Sequence, residues 1–173
     1  ADNGKMAVSK DVYQESNGGK WVRYDENGHM IKGWNTNDNG TYYFDLTTGA
    51  MYKGKVIIDG VSCVFDDNTG IGVDCKWLEF DGVKYWYEGG RRQGLEGRGK
   101  EIFDPASNAW YWLDSNADGK MAVSKDVYQP YTIQGQDEIG KWVRYDEYGH
   151  MIKGEDHRHI EGTTDDAEWG YWY

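Results

Sequence analysis

Ten residues, Lys5 to Gln14 (KMAVSKDVYQ), recur unchanged at Lys120 to Gln129, and fourteen, Lys20 to Gly33, recur at Lys141 to Gly154 with one change, Asn27 to Tyr148. The offset is 115 residues in the first block and 121 in the second, so six residues are inserted between Gln129 and Lys141. Near-identity over 24 positions marks a duplicated unit, and such a chain is expected to fold as a repeat architecture.

A shorter period lies inside the duplication. Six stretches read as an alternating aromatic or apolar run, an acid and a tight glycine turn; they begin at Trp21, Thr41, Ser62, Lys84, Trp110 and Trp142, and Gly170 to Tyr173 opens like a seventh. Aligned on the acid (Asp25, Asp45, Asp66, Glu88, Asp114, Asp146), two columns are uniformly apolar or aromatic. One step before the acid stand Tyr24, Phe44, Phe65, Tyr87, Leu113 and Tyr145; three before it stand Val22, Tyr42, Cys63, Tyr85, Tyr111 and Val143. Residues two apart share one face of a strand. The intervening column (Arg23, Tyr43, Val64, Trp86, Trp112, Arg144) is mixed and faces the other way. This is a hairpin pattern. A hairpin alone cannot bury its apolar face, so the fold class read here is all-β, a solenoid of stacked β-hairpin repeats with irregular inserted loops.

The acids are spaced by 20, 21, 22, 26 and 32 residues, and the longer gaps leave room for loops. A short helix near Met121 to Tyr128 is suggested by 3–4 spacing in AVSKDVY. Repeat units fall at about 1–19, 20–33, 34–60, 61–82, 83–108, 109–140, 141–167 and a truncated 168–173, in one elongated module over 1–173.

Composition supports this plan and excludes others. Leu, Ile, Val and Phe are few, but 14 Tyr and 9 Trp supply rings that bury ~150–250 Å² each. The chain can thus bury surface as repeated aromatic contacts rather than as an aliphatic globule. A net charge of −11 repels phosphate backbones and anionic lipid, so no nucleic-acid partner is expected. No run of apolar residues is long enough for membrane insertion. No leader opens the sequence, so an export signal is expected outside it.

Gly33-Trp34, followed by Asn39 to Gly54 (NGTYYFDLTTGAMYKG), resembles one unit of the cell-wall-binding or choline-binding repeat family, which includes glucan-binding-like β-hairpin repeats of Gram-positive surface proteins. Lys20 to Gly33 and Lys141 to Gly154 match well; Ser62 to Cys75, Lys84 to Gly94 and Trp110 to Val123 match degenerately. The resemblance implies a secreted, cell-surface or wall-associated protein whose hairpins attach to wall polymers. It also implies a ring cage that includes the Trp of the Gly-Trp pair, a role that falls to Trp34. After Gly54 and Gly154 the equivalent residues are Lys55 and Glu155.

The ligand-binding candidates are exposed rings. Trp21, Trp110 and Trp142 stand four positions before the acid, on the mixed face with Tyr43, Trp86 and Trp112. Such rings stack on the apolar faces of sugars, or else only fill space between hairpins. Arg23 and Arg144 have the same choice between ligand contact and a solvated face. Asp114, Asn116 and Asp118 fit the first half of a calcium loop, although the closing acid is replaced by Lys125. An ordinary capped turn is the plainer reading of those residues. Cys63 and Cys75 enclose one turn, and an even count in an exported chain favours a disulfide. His157 and His159 could form a metal pair on one strand face but lack a third ligand, and His29 and His150 are turn residues.

No nucleophile elbow, zinc-protease motif or phosphate loop is present, and carboxylates recur at turns, so the chain is read as no enzyme. The function expected is a non-catalytic module that binds a cell-wall polymer or glycan through its rings. The alternative is an adhesin for a host glycoprotein or immunoglobulin, for which exposed Tyr, Trp and Arg are also suited.

Overall fold

The computed structural model describes residues 4–16, 18–131, 139–158 and 169–172. Among these the chain is all-β, in agreement with the sequence, and its one helical piece is a 3-10 turn at Ser115–Ala117. The inserted residues 132–138 and 159–168, with His159, lie outside the described residues. Contacts group the chain into two compact units, Ala1–Leu78 with Tyr87–Arg92, and Glu79–Trp86 with Gln93–Tyr173.

In the first unit, β1 (Lys10–Gln14) pairs with β2 (Lys20–Tyr24), β3 (Gly33–Asn37) with β4 (Gly40–Phe44), and β5 (Gly54–Ile58) with β6 (Val61–Phe65), each antiparallel. The division falls within the hairpin of β7 (Lys76–Phe80) and β8 (Val83–Glu88). The short β9 (Arg91–Arg92) then pairs with β6 through Arg91 and Cys63. At the β5–β6 turn, Asp59 and Gly60 have φ of 50° and 78°, the left-handed pair that an Asp-Gly hairpin turn requires.

The aromatic run is the second strand of its hairpin. After the acid the chain turns and returns for a single bridge: Tyr24 with Met30, Phe44 with Met51, Phe65 with Gly72. That returning segment stitches one repeat to another. The Met51 amide donates to the Trp21 carbonyl (2.8 Å), and the Gly72 amide to the Thr41 carbonyl (2.7 Å). Backbone groups that a lone hairpin would leave to water are thereby paired.

The acids fix these turns. Asp45 Oδ1 accepts the amides of Thr47 and Thr48 and the Thr48 hydroxyl, and Asp66 Oδ1 does the same with Asn68 and Thr69. Asp25 and Asp146 cap amides two and four residues on. The aligned columns form the core: Val22, Tyr42, Phe44, Cys63, Phe65, Tyr87, Tyr111, Leu113, Val143 and Tyr145 are all buried.

Methionine fills the space between turns. The turn glycines Gly28, Gly49, Gly70 and Gly149 each lie against a methionine from earlier in the chain, Met6, Met30, Met51 and Met121. A Cβ at any of them would come within 3.0 Å of the sulfur. Thioethers, flexible and polarizable, suit such irregular gaps.

In the second unit, β10 (Lys100–Asp104) pairs with β11 (Ala109–Asp114), which also pairs with β12 (Lys120–Met121). Next, β13 (Lys125–Tyr131) pairs with β14 (Ile139–Tyr145), and β15 (Glu155–Arg158) with β16 (Trp169–Trp172). Residues 170–172 of the run near the C-terminal end thus lie in a strand. The helix expected near Met121 to Tyr128 is corrected: these residues end β12 and begin β13. Ser124 has a φ of 47°, which interrupts any helical run, and its amide donates to the Asp146 carbonyl. Val127 is buried and Tyr128 stands opposite Trp142, a period of two rather than 3.6.

The expected disulfide is also corrected. Cys63 and Cys75 are both thiols. Cys63 is buried at the centre of β6, in a cluster with Tyr43, Ile58 and Phe65. Cys75 is exposed before β7, in a left-handed conformation (φ 47°), its sulfur 3.8 Å from Asp74 Oδ1.

Candidate aromatic binding surface

Strand register decides which rings reach solvent. Trp21 stands opposite Tyr13 across β1–β2, Trp110 opposite Phe103 across β10–β11, and Trp142 opposite Tyr128 across β13–β14. The three pairs have ring centroids 5.4, 5.2 and 5.5 Å apart at tilts of 55°, 49° and 59°. Cross-strand aromatic pairs of this kind stabilise a hairpin by ~0.2–1 kcal/mol. The tryptophans remain exposed, from 39% for Trp110 to 65% for Trp142. Two glycines hold the platforms in place: the Tyr13 ring lies over Gly19 and the Tyr128 ring over Gly140, where no side chain would fit.

The other three rings of the mixed face are corrected. Tyr43, Trp86 and Trp112 are only 3–6% exposed. Tyr43 packs edge-on to Trp34 (5.1 Å) and against Tyr52 (5.1 Å), in the cluster with Ile58, Cys63 and Phe65. Trp112 packs with Ala122, Val127, Val143 and Tyr145. At Tyr43 the cover is Tyr52, which lies on the segment returning after β4.

Trp34 is 40% exposed and also faces Phe65 at 6.0 Å. Rings of two consecutive hairpins, Trp34, Tyr43, Tyr52 and Phe65, gather and pack upon one another. The Tyr52 hydroxyl donates to Asp45 Oδ2 (3.0 Å).

The arginines are tied across strands. Arg23 donates from Nε and Nη2 to the two oxygens of Asp11 (2.6 and 2.9 Å) and from Nη1 to Asn35 Oδ1 (3.3 Å). Its guanidinium lies 4.0 Å from the centroid of Tyr42. The hydrogen bond to Asp11 raises the Arg23 pKa, against the cost of burial. Arg144 repeats the pairing with Asp126 at 3.4 Å. The sequence pattern does not single out Tyr13, Phe103, Tyr128, Asp11 or Asn35 as site residues. The duplication holds a signal for two of them, because Asp11 and Tyr13 return as Asp126 and Tyr128 in the unchanged block.

Asp114, Asn116 and Asp118 form a capped 3-10 turn. Asp114 Oδ1 accepts the Asn116 amide, Asp118 closes the turn in the left-handed region, and Lys125 pairs with Asp114 Oδ2. The ammonium supplies at Asp114 the positive charge that a calcium ion would bring. Among the described residues no group of three or more His, Cys, Asp or Glu is arranged to hold a metal, and no helix is long and apolar enough to cross a membrane. His29 and His150 lie at turns, with Nδ1 3.6 Å from Asp25 and Asp146 respectively.

Residues 14–55 match the choline-binding repeat family. Among curated proteins, the chain is similar to glucosyltransferase-S of Streptococcus downei, 34% identical over 93 residues, which is 53% of this chain and 6% of that protein. Among solved structures it is similar to choline binding protein F from Streptococcus pneumoniae, determined in the presence of a peptidoglycan analogue (TM-score 0.49, 19% identity, 92% of this chain and 46% of that one). It is also similar to the modular autolysin LytC from Streptococcus pneumoniae (0.45, 18%, 94% and 41%) and to CbpJ from the same species (0.44, 18%, 97% and 63%). The chain thus spans 6% of its curated relative and less than two thirds of each of these structures. The Gly33-Trp34 unit and the turns capped by Asp25 and Asp45 fall within residues 14–55, the segment that matches the choline-binding repeat.

Proposed function

We propose that this chain is a non-catalytic module that binds a cell-wall polysaccharide through its exposed cross-strand ring pairs. The observation that carries the reading is the recurrence of one platform at Tyr13–Trp21, Phe103–Trp110 and Tyr128–Trp142, each with an exposed indole. Flat apolar rings beside charged pairs suit the two-sided chemistry of a sugar, apolar on its faces and polar at its edges. The match to a repeat family named for ligand binding supports a binding role. The use of Asp25, Asp45, Asp66 and Asp146 as turn caps supports a non-catalytic one.

Platforms in both units would bind one polymer jointly, and avidity would then exceed the affinity of either. The test is co-sedimentation with purified Gram-positive peptidoglycan sacculi and with insoluble α-glucan. Binding to at least one polymer is expected, weakened more than tenfold in the Trp21→Ala/Trp142→Ala double variant. Absence of binding to both, or full binding by the double variant, would refute the reading.

A further inference from the structure

Within the first unit, beside the Asp11–Arg23 pair, lies a groove of about 400 Å³ whose lining includes Lys10, Asp11, Arg23, Asp25, Asn35 and Asn37. We propose that this groove is a hydrogen-bonding subsite for a neutral sugar unit and that Arg23 bars quaternary ammonium from it. The proposal rests on the polysaccharide reading above and adds the ligand class and residues of one subsite.

The groove is pre-organised. Arg23 is held by both oxygens of Asp11, by Asn35 Oδ1 and by the face of Tyr42. Asn37 Oδ1 accepts the Asn39 amide (2.9 Å). With both amide oxygens engaged, the NH2 groups of Asn35 and Asn37 are donors with no protein partner among the described residues. Asp11 and Asp25 supply acceptors. A neighbouring pair of donor and acceptor is what adjacent sugar hydroxyls need, since each hydroxyl both gives and takes a hydrogen bond. Few fixed polar groups in a concave site of this size are the usual means of orienting a small ligand.

Charge selects against other ligands. Lys10 and Arg23 balance Asp11 and Asp25, so the lining carries no net charge with which to draw in a phosphate or an ammonium. A quaternary ammonium needs an open aromatic face. The Tyr42 face is already covered by Arg23, and a bidentate carboxylate holds that guanidinium in place.

The groove also adjoins a ring platform. Asp11 lines a second cavity of about 160 Å³ with Trp21, Met51, Lys53, Asn68 and Thr69. A saccharide stacked on Trp21 could therefore place its next unit against Asn35 and Asn37. The duplicate supplies an internal contrast, because the 121-residue offset puts Asp156 and Arg158 where the first copy has Asn35 and Asn37.

The test is NMR titration of the full chain with isomaltononaose, with chitotetraose and separately with choline chloride. With at least one oligosaccharide, the side-chain amide signals of Asn35 and Asn37 are expected to move together with the Trp21 indole. Asn35→Ala and Asn37→Ala, each checked for an unchanged melting temperature, should weaken that response at least fivefold and leave the Trp110 and Trp142 responses intact. Choline should move none of the groove signals. If the indoles respond to a sugar while the two amides do not, the subsite falls and the polysaccharide reading stands. If no indole or amide responds to either sugar, both fall. A choline-induced shift at Tyr42 or Arg23 would overturn the exclusion.

Discussion

The sulfur of Met30 occupies the space into which a side chain at Gly49 would project. The two residues belong to different repeats, and their contact joins one turn to the segment before it. Gly49 also has a φ of +68°. Its lack of a side chain is therefore required twice, by backbone conformation and by packing.

These two requirements can be separated. Gly60 has a φ of +78°, and nothing lies within 4 Å of where its Cβ would stand, so Gly60→Ala should cost only the left-handed strain, about 1–2 kcal/mol. Gly49→Ala should cost a further ~1–3 kcal/mol from overpacking against Met30. Thermal melts of the two variants measure the difference. Equal losses would show that the methionine contact contributes nothing.

Alkaline pH should loosen the second unit. Burial, and then the nearby Glu101 carboxylate, raise the Tyr145 phenol above its ordinary value of 10.0, and the hydrogen bond from Gln129 opposes them. A phenol that ionises less readily when folded contributes stability that is whole below pH 10 and is lost as pH rises beyond it. Melting temperature should therefore fall above pH 10, and less steeply in Tyr145→Phe. Identical slopes would remove Tyr145 from the account.

Acid acts through a turn. Hydrogen bonds from the Thr48 amide and hydroxyl, then from the Tyr52 hydroxyl, lower the Asp45 carboxyl from 3.8 to about 2. Its contribution is present above pH 3.8 and is lost as pH falls toward 2. A carboxyl-detected titration should place the Asp45 midpoint near 2, and Asp45→Asn should flatten the acid limb of the stability curve. A midpoint at the ordinary value would overturn this.

Thiol chemistry tests the corrected pairing. Cys75 is exposed, whereas Cys63 is buried, and burial raises its pKa. An aromatic disulfide reagent should label one thiol of the native protein quickly and the second only in denaturant. A native protein with no reactive thiol would restore the disulfide.

Much of the core was legible because strand parity is simple. Residues one and three before each acid share a face, and ten of those twelve positions are buried; the others, Tyr24 and Tyr85, are half-buried. The all-β class followed from the same pattern. What parity does not carry is what covers the second face. Arg23 and Tyr43 occupy the same column, yet Arg23 lines a groove and Tyr43 is enclosed by Trp34 and Tyr52. The platforms depend on register, since Tyr13 meets Trp21 only after the chain folds back at a particular turn. Near Met121 local spacing suggests a helix, but pairing with β14 makes Val127 and Tyr128 alternate. Cysteine count favours a disulfide, but it does not carry the burial of Cys63 in a cluster with Tyr43, Ile58 and Phe65 while Cys75 is exposed.

Four of the five thioethers of the chain stand in this line of turn contacts, which makes oxidation state a mechanical variable. A sulfoxide is polar and larger, and it would form where even a methyl group is too big. Peroxide damage at one joint would pry apart two successive repeats, and the next joint would then lose the support of its neighbour. Within the first unit, where three of these contacts follow one another, stability would fail stepwise rather than by the loss of any single contact.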